Sequence, residues 1–375
     1  MSTNSPLRCR ALIDRGAIRA NLVRLRDRLD PAGPFIAMVK ADAYGLGTRN
    51  VVPVLRQAGV RCFGVASASE AHALRDEGVK DRIIVFGPFG PKMEREVVSA
   101  GAEATVSSIA EVERFAAAGA KASVPLHVEI DTGMGRAGFP ATELDRWAPD
   151  LREALSHPGV TWAGVFTHLH SADEPGRPGS AEQLSAFETA LARLDAPAHV
   201  ERHIANSGGA FWDELPDGAG ARPGIYLYGG EVEGAPRPDL VLTLEAAIVR
   251  VADVPAGATV GYGATHAASA ASRWATAAIG YGDGLPRALS NRGRALIHGR
   301  PAPIIGRVSM DLTVLDVTGR DDVRPGDRAT FIGRDGGAEI QVEEVAAHTD
   351  TISYEILTRL TPRVPRIPIL RPRSR

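Results

Sequence analysis

The alternation of short apolar runs with helical stretches over the first two-thirds of the chain restricts its fold more than any other feature. Strand-like runs fall at residues 35–39, 62–66, 82–86, 103–106, 126–131, 162–168, 201–205 and 224–228, with helical patterns between them such as 69–77, 108–118, 141–155 and 181–194. Eight strands alternating with helices predict an α/β architecture of the (β/α)8 TIM-barrel type. A doubly wound open sheet is the alternative, because periodicity alone does not close a sheet. A helix over 16–29 precedes the first run, and residues 8–13 read as an extra strand outside the barrel.

After about residue 240 the texture changes. Short β-rich runs at 242–249, 276–279, 294–297, 303–305, 313–317 and 329–332 are separated by Gly and Pro, the pattern of a mainly β domain. Short helices are expected at 342–347 and 351–358, and Pro362, Pro365 and Pro368 keep the tail extended. The expected division is a barrel over 12–240 and a β domain over 241–375, with residues 1–11 a candidate addition to the latter.

Composition excludes several classes of function. The net charge is -2 over 375 residues, with 44% hydrophobic and 23% charged residues, so the chain has no basic footprint for nucleic acid. No apolar run approaches the roughly 20 residues of a membrane span. The first eight residues lack the apolar core of a signal peptide, and the cytoplasm is the expected compartment. Cys9 and Cys62 form no CxxC pair and read as two free thiols. His127 and His170 lack the carboxylate–histidine spacing of a metal site, so no metal is expected.

In a barrel of this kind, chemistry sits where the strands end. Lys40 ends the first strand, in Ala37-Met-Val-Lys-Ala-Asp-Ala-Tyr-Gly-Leu-Gly47. A lysine directly after an apolar strand is costly to bury as a cation, and desolvation turns it into a usable amine nucleophile. Tyr44 and two glycines follow within one loop, which suits a ligand held close to the backbone. His168 and His170 end the sixth strand. The seventh ends in His203-Ile-Ala-Asn-Ser-Gly-Gly209, and small polar residues with glycines at a helix entrance make an anion cradle from backbone N–H groups. Arg222-Pro-Gly-Ile-Tyr226 belongs to the eighth, and phosphate sites after strands seven and eight are a recurring use of this barrel. In the β domain Val260-Gly-Tyr-Gly-Ala264, Gly280-Tyr-Gly-Asp-Gly284 and Gly306-Arg-Val-Ser-Met-Asp-Leu312 place tyrosines and polar residues between glycines.

With Asp131-Thr-Gly-Met-Gly-Arg136 and Tyr354 added, these motifs resemble, in order and spacing, the alanine racemase family over about residues 8–370. The resemblance implies a pyridoxal 5'-phosphate (PLP) enzyme that interconverts L- and D-alanine and supplies D-alanine for cell-wall synthesis. It also implies a head-to-tail homodimer whose C-terminal β domain completes the partner's active site. Lys40 resembles the Schiff-base lysine and one of two acid–base groups, and Tyr262 from the other subunit resembles the second. Racemisation removes a proton from one face of Cα and delivers one to the other, so two flanking groups are the natural arrangement. Tyr44, Ser207, Gly224, Ile225 and Tyr354 resemble phosphate binders, and Arg222 the partner of the pyridine nitrogen. His168 resembles the link between Arg222 and Tyr262, a phenol whose free pKa is about 10. Arg136 and the Met310 backbone resemble the contacts to the substrate carboxylate. Tyr281, Asp311 and Tyr354 resemble the walls of a narrow mouth.

Two positions depart from the family pattern. Glu129 stands where many members carry a carbamylated lysine, and Ser309 replaces the more usual cysteine. Strand alternation puts His127, Glu129 and Asp131 on one face, so Glu129 is expected inside the barrel as the anion that positions Arg136. Competing readings are a serine, lysine or broad-spectrum racemase, a decarboxylase on the same barrel, and a non-catalytic PLP carrier. The carrier resembles the barrel alone, so the second domain and Tyr262 argue against it.

Overall fold

The computed structural model describes residues 8–119, 122–174, 178–213 and 215–371; the ends of the expected β-domain assignments, 1–7 and 372–375, lie outside them. Eight parallel strands run in the order Ala37–Met38, Cys62–Val65, Arg82–Val85, Glu103–Val106, Val124–Asp131, Val160–Phe166, Glu201–Ala205 and Gly220–Ala221. A parallel bridge from Phe35 to Ala221 joins the last strand to the first. Ile36 N donates to Ala221 O at 2.9 Å and Met38 N to Pro223 O at 3.0 Å, so the sheet is closed and the open-sheet alternative falls. Both faces of these strands are covered, which is why they read as continuous apolar runs.

The eighth strand differs from expectation. It is two residues long, and the run expected at 224–228 is a 3-10 turn, Ile225–Tyr228, with all four residues buried. Pro223 has no N–H for a ladder, and Gly224 takes φ -131° and ψ -82°, outside the strand region. A short apolar run cannot by itself distinguish a buried strand from a buried turn. Helices Thr48–Gln57 and Glu94–Ser99 also lie between barrel strands, the first burying Val51, Val52, Val54 and Leu55 along one face despite Pro53. Elsewhere local chemistry sets the boundaries. Helix Arg15–Arg26 starts where the Asp14 side chain accepts from Gly16 N and Ala17 N, and it buries Ile18, Leu22 and Leu25 along one stripe.

The second unit is a closed circuit of six antiparallel pairings. Leu242–Val254 pairs with Ser272–Ala277, and the circuit continues through Thr313–Asp316, Arg300–Ile305, Arg294–Ile297 and Arg328–Asp335 back to Leu242–Val254. The 13-residue first strand serves three partners because its register shifts twice. Cys9–Asp14 lies antiparallel to it and parallel to Arg366–Ile369, so both ends of the chain return to this sheet. A hairpin, Thr259–Val260 with His266–Ala267, holds Tyr262 at its tip. From the tail, Arg366 Nε donates to Gly45 O at 3.0 Å, tying the β unit to the loop after the first barrel strand. Among the described residues no helix is long and apolar enough to cross a membrane. Cys9 and Cys62 are buried and free.

Candidate active site

Lys40 follows the first barrel strand, Ala37–Met38, at its C-terminal end with one residue between them. The four residues after it, Ala41, Asp42, Ala43 and Tyr44, all hold left-handed φ angles between 53° and 55°. Such a turn costs roughly 1–2 kcal/mol per residue, so its surroundings must hold it. Glu70 does part of this, its Oε1 accepting from Ala41 N and its Oε2 from Ala66 N, each at 2.7 Å. Asp42 Oδ1 accepts from Thr48 N at 2.8 Å, and Gly45 N closes onto Ala41 O at 2.8 Å. The turn swings Tyr44 inward, 4.9 Å from the Tyr228 ring and 6.1 Å from the Tyr354 ring.

The turn opens onto a cavity of about 800 Å³ at the C-terminal ends of the barrel strands. Lys40, Tyr44, Glu129, Arg136, His168, Ser207, Arg222, Gly224, Ile225 and Tyr354 all line it, so ten of the sequence-derived site residues converge. One end is a cradle of hydroxyls and amides. Ser207 Oγ accepts from Gly224 N at 2.9 Å, beside Tyr44 and Tyr354. A Cβ at position 224 would fall 2.1 Å from the Tyr44 hydroxyl, so only glycine lets the phenol reach this backbone.

The other end is organised by Arg222, which is buried. Its Nη2 donates to Thr167 O at 2.7 Å and meets His168 Nδ1 at 3.2 Å, while its Nη1 meets His203 Nδ1 at 3.1 Å. Burial lowers the Arg222 pKa to about 10, opposed by Glu129. Burial and then the charges of Arg222, Arg136 and Lys40 push His168 down to about 3, so this imidazole is neutral and accepts at Nδ1. Burial likewise lowers the Lys40 ammonium, helped by Arg136 and Arg222 and opposed by Glu70.

Glu129 points into the barrel, as alternation requires, and is 6% exposed. Its Oε2 accepts from Ser107 Oγ at 3.2 Å, and among the described residues it makes no ion pair with Arg136. Burial raises its pKa, while Ser107 and the two arginines Arg136 and Arg222 work against that shift. Arg136 is instead presented by its own loop, where Asp131 Oδ1 accepts from Gly133 N and Gly135 N at 3.0 Å each.

Four expected residues lie outside this cavity's lining. Tyr262, Met310, Tyr281 and Asp311 belong to the β unit, with Tyr262 72%, Met310 52% and Tyr281 38% exposed. Gly282 N donates to Met310 O at 2.9 Å and Tyr281 N to Ser309 O at 3.0 Å, so the second and third β-domain motifs form one surface. Arg363 Nη2 holds Asp311 Oδ1 at 2.6 Å. Sequence reasoning missed Glu70 and Tyr228. The Glu70 signal was the capping pattern Ser67-Ala-Ser-Glu70, in which Glu70 N bonds Ser67 Oγ. Tyr228, whose hydroxyl donates to Met38 O at 2.5 Å, gave no local signal.

A closed barrel with a desolvated lysine after strand one, a buried arginine opposite and a hydroxyl–amide cradle between strands seven and eight defines a two-domain lysine-bearing barrel enzyme. The family model for the N-terminal domain of alanine racemase matches residues 13–232, and that for the C-terminal domain matches residues 241–368. The chain belongs to the alanine racemase family. The alanine racemase of Rhodospirillum rubrum is 40% identical over 361 residues, covering 94% of each chain. Among solved structures, alanine racemase from D-cycloserine-producing Streptomyces lavendulae superimposes with a TM-score of 0.90 at 33% identity, over 97% of this chain and 98% of that one. Alanine racemase from Bartonella henselae with covalently bound pyridoxal phosphate gives a TM-score of 0.87 at 33% identity, over 97% of this chain and 100% of that one.

Proposed function

We propose that this chain interconverts L- and D-alanine with PLP held on Lys40, in a homodimer whose β domains complete each other's sites. The observation that supports it most is the convergence of Lys40, Arg222 and the Ser207–Gly224 cradle on one cavity. Its roughly 800 Å³ suit a cofactor with a small amino acid. The residues fit the group: a lysine amine for its aldehyde, an anion cradle kept open by Gly224 for its phosphate, and a permanent donor, Arg222, for its ring nitrogen. When bound, PLP makes the Cα–H of an attached amino acid acidic.

The chain's own residues then move the proton. Lys40 serves one face of Cα, and its burial lowers the ammonium pKa, which favours the neutral amine that can accept. Tyr262 of the partner subunit serves the other face. Because His168 accepts from Arg222 at Nδ1, its own proton sits on Nε2, where it can donate to that phenol oxygen and favour the phenolate. Arg136 and the Met310 backbone take the substrate carboxylate, while Tyr281, Asp311 and Tyr354 narrow the mouth. The exposure of Tyr262, Met310, Tyr281 and Leu312 on one unit, away from Lys40, supports completion by a second copy. We assign the enzyme to the cytoplasm, where D-alanine would feed cell-wall synthesis.

A racemisation assay over alanine, serine and lysine tests the substrate, with alanine expected to lead. Mixing inactive Lys40→Ala with inactive Tyr262→Phe chains tests the shared site. A heterodimer then holds one site with both defects and one with neither, so activity should return. No recovery after verified subunit exchange would mean that each chain builds its own site.

A further inference from the structure

Beyond the cavity, a line of hydrogen bonds leaves Arg222 and crosses the barrel interior. Arg222 Nη1 lies 3.1 Å from His203 Nδ1, His203 Nε2 lies 2.9 Å from His127 Nδ1, and His127 Nε2 lies 2.8 Å from Glu103 Oε2. Glu103 is the first residue of the fourth strand, at the end of the barrel opposite the cavity. There Arg82 grips it through Nε and Nη2 at 2.7 and 2.9 Å, and Glu201 holds Arg82 in turn at 2.6 and 2.9 Å. Both imidazoles are fully buried. Phe166 stacks on His203 at 4.8 Å and 10°, with Phe86 edge-on at 6.2 Å. Position 164 is kept clear for the contact between the rings: a Cβ on Gly164 would fall 2.0 Å from His127 Nδ1.

The donor inventory allows one arrangement. A guanidinium only donates, so His203 Nδ1 must accept and its proton must sit on Nε2. That proton fills His127 Nδ1, which therefore also accepts, and the His127 proton sits on Nε2, facing Glu103. Every donor points from Arg222 towards the carboxylate. We propose that Glu103 is a positioning residue: Arg222 sets the direction of the line, and the Glu103 carboxylate, accepting at its far end, acts through His127 and His203 to strengthen the lone pair that His203 presents to Arg222 and so holds the guanidinium in register with the cofactor ring. The inference rests on the PLP reading for its consequence, and on geometry alone for the tautomers. The titration behaviour agrees. Burial lowers His203 well below its ordinary value, keeping it neutral. Burial would raise Glu103, but hydrogen bonds from Arg82 and His127 outweigh it and hold the carboxyl at about 2. Chained hydrogen bonds polarise one another, so an anion at one end strengthens the last bond at the other.

The test is the 15N spectrum of histidine-labelled, PLP-loaded protein, assigned with His127→Gln and His203→Asn. Both rings should show the neutral tautomer protonated on Nε2 at neutral pH. A His203 ring protonated on Nδ1, or an imidazolium at either position, overturns the relay whether or not the protein racemises alanine. Glu103→Leu should keep the His203 tautomer, move the His127 15N signals as its Nε2–H loses its acceptor, shift the Arg222 side-chain N–H signals and lower kcat by roughly 2- to 30-fold with little change in KM, the usual size of coupling through a packed network. Glu103→Gln keeps an acceptor oxygen for His127, so it should retain both tautomers and more of the activity. If Glu103→Leu leaves the Arg222 signals and kcat as they were, Glu103 is no positioning residue. If that variant does not fold, Glu103→Gln decides the matter: it keeps the acceptor but removes the charge, so unmoved Arg222 signals and an unchanged kcat would overturn the proposal.

Discussion

The barrel and the β unit hold their candidate site residues in opposite states of completion. In the barrel, Arg222, His168, Ser207 and Gly224 are held by hydrogen bonds around one cavity, which Lys40 also lines. In the β unit, Tyr262 and Met310 are exposed and outside that cavity's lining. A cofactor site needs preorganised donors, which one chain can supply from strand ends. Two proton-transfer groups on opposite faces of one carbon are harder to place from a single barrel rim. In the proposed dimer a second subunit would supply the other face without disturbing the first, so the cofactor should bind through the barrel residues and Tyr354 of one chain, while the exposed β-unit residues should matter only to turnover.

The sharpest break is Lys40→Ala, which should abolish both activity and the reducible bond between protein and PLP, read by borohydride trapping and peptide mapping. A bond at another lysine would remove Lys40 from the site. Tyr262→Phe should leave cofactor absorbance unchanged, because Tyr262 belongs to the other half. Turnover should fall by at least the ~10²–10⁴-fold typical of general acid–base catalysis, and solvent-deuterium exchange at Cα should become one-sided. Near-normal racemisation would sink the two-base assignment. Glu129→Gln probes the barrel half's hold on substrate. Because Glu129 bonds Ser107 and reaches Arg136 only through its charge, the change should cost less than the roughly 1.5–3 kcal/mol of a hydrogen bond to a charged group, mostly as a raised KM. Removing dissolved carbon dioxide should leave the wild type unchanged, since a glutamate needs no carbamate. A fully active Glu129→Gln enzyme would leave Ser107 as that carboxylate's sole concern.

The smallest effect concerns pH and lies at the far end of the barrel. The folded-state pKa of Glu103 is depressed from 4.5 to about 2. Its contribution to stability is therefore complete above about pH 4.5 and is lost as pH falls towards 2. Urea unfolding followed across that window should show a shallower acid slope in Glu103→Gln than in the wild type, and equal slopes would mean that Glu103 is not held in the folded state.

Much of this protein follows from its sequence because strand ends and turns are local. The apolar runs mark the first seven barrel strands, and Ser67 and Ser108 each cap the helix that follows by accepting from the N–H of Glu70 and Glu111. The motifs around Lys40, Ser207 and Arg222 mark the site because small and polar residues after apolar strands have few other uses. Other features were decided only by folding. The 224–228 run is a turn rather than a strand, because Pro223 interrupts the ladder. The expected Glu129–Arg136 pair is replaced by a bond to Ser107, because the carboxylate's reach is set by the strand beside it. The line from Arg222 through His203 and His127 to Glu103 joins residues up to 119 positions apart. Such partners meet only when a closed sheet brings its strands around one axis, and no periodicity along a single strand records which side chains will face each other across it.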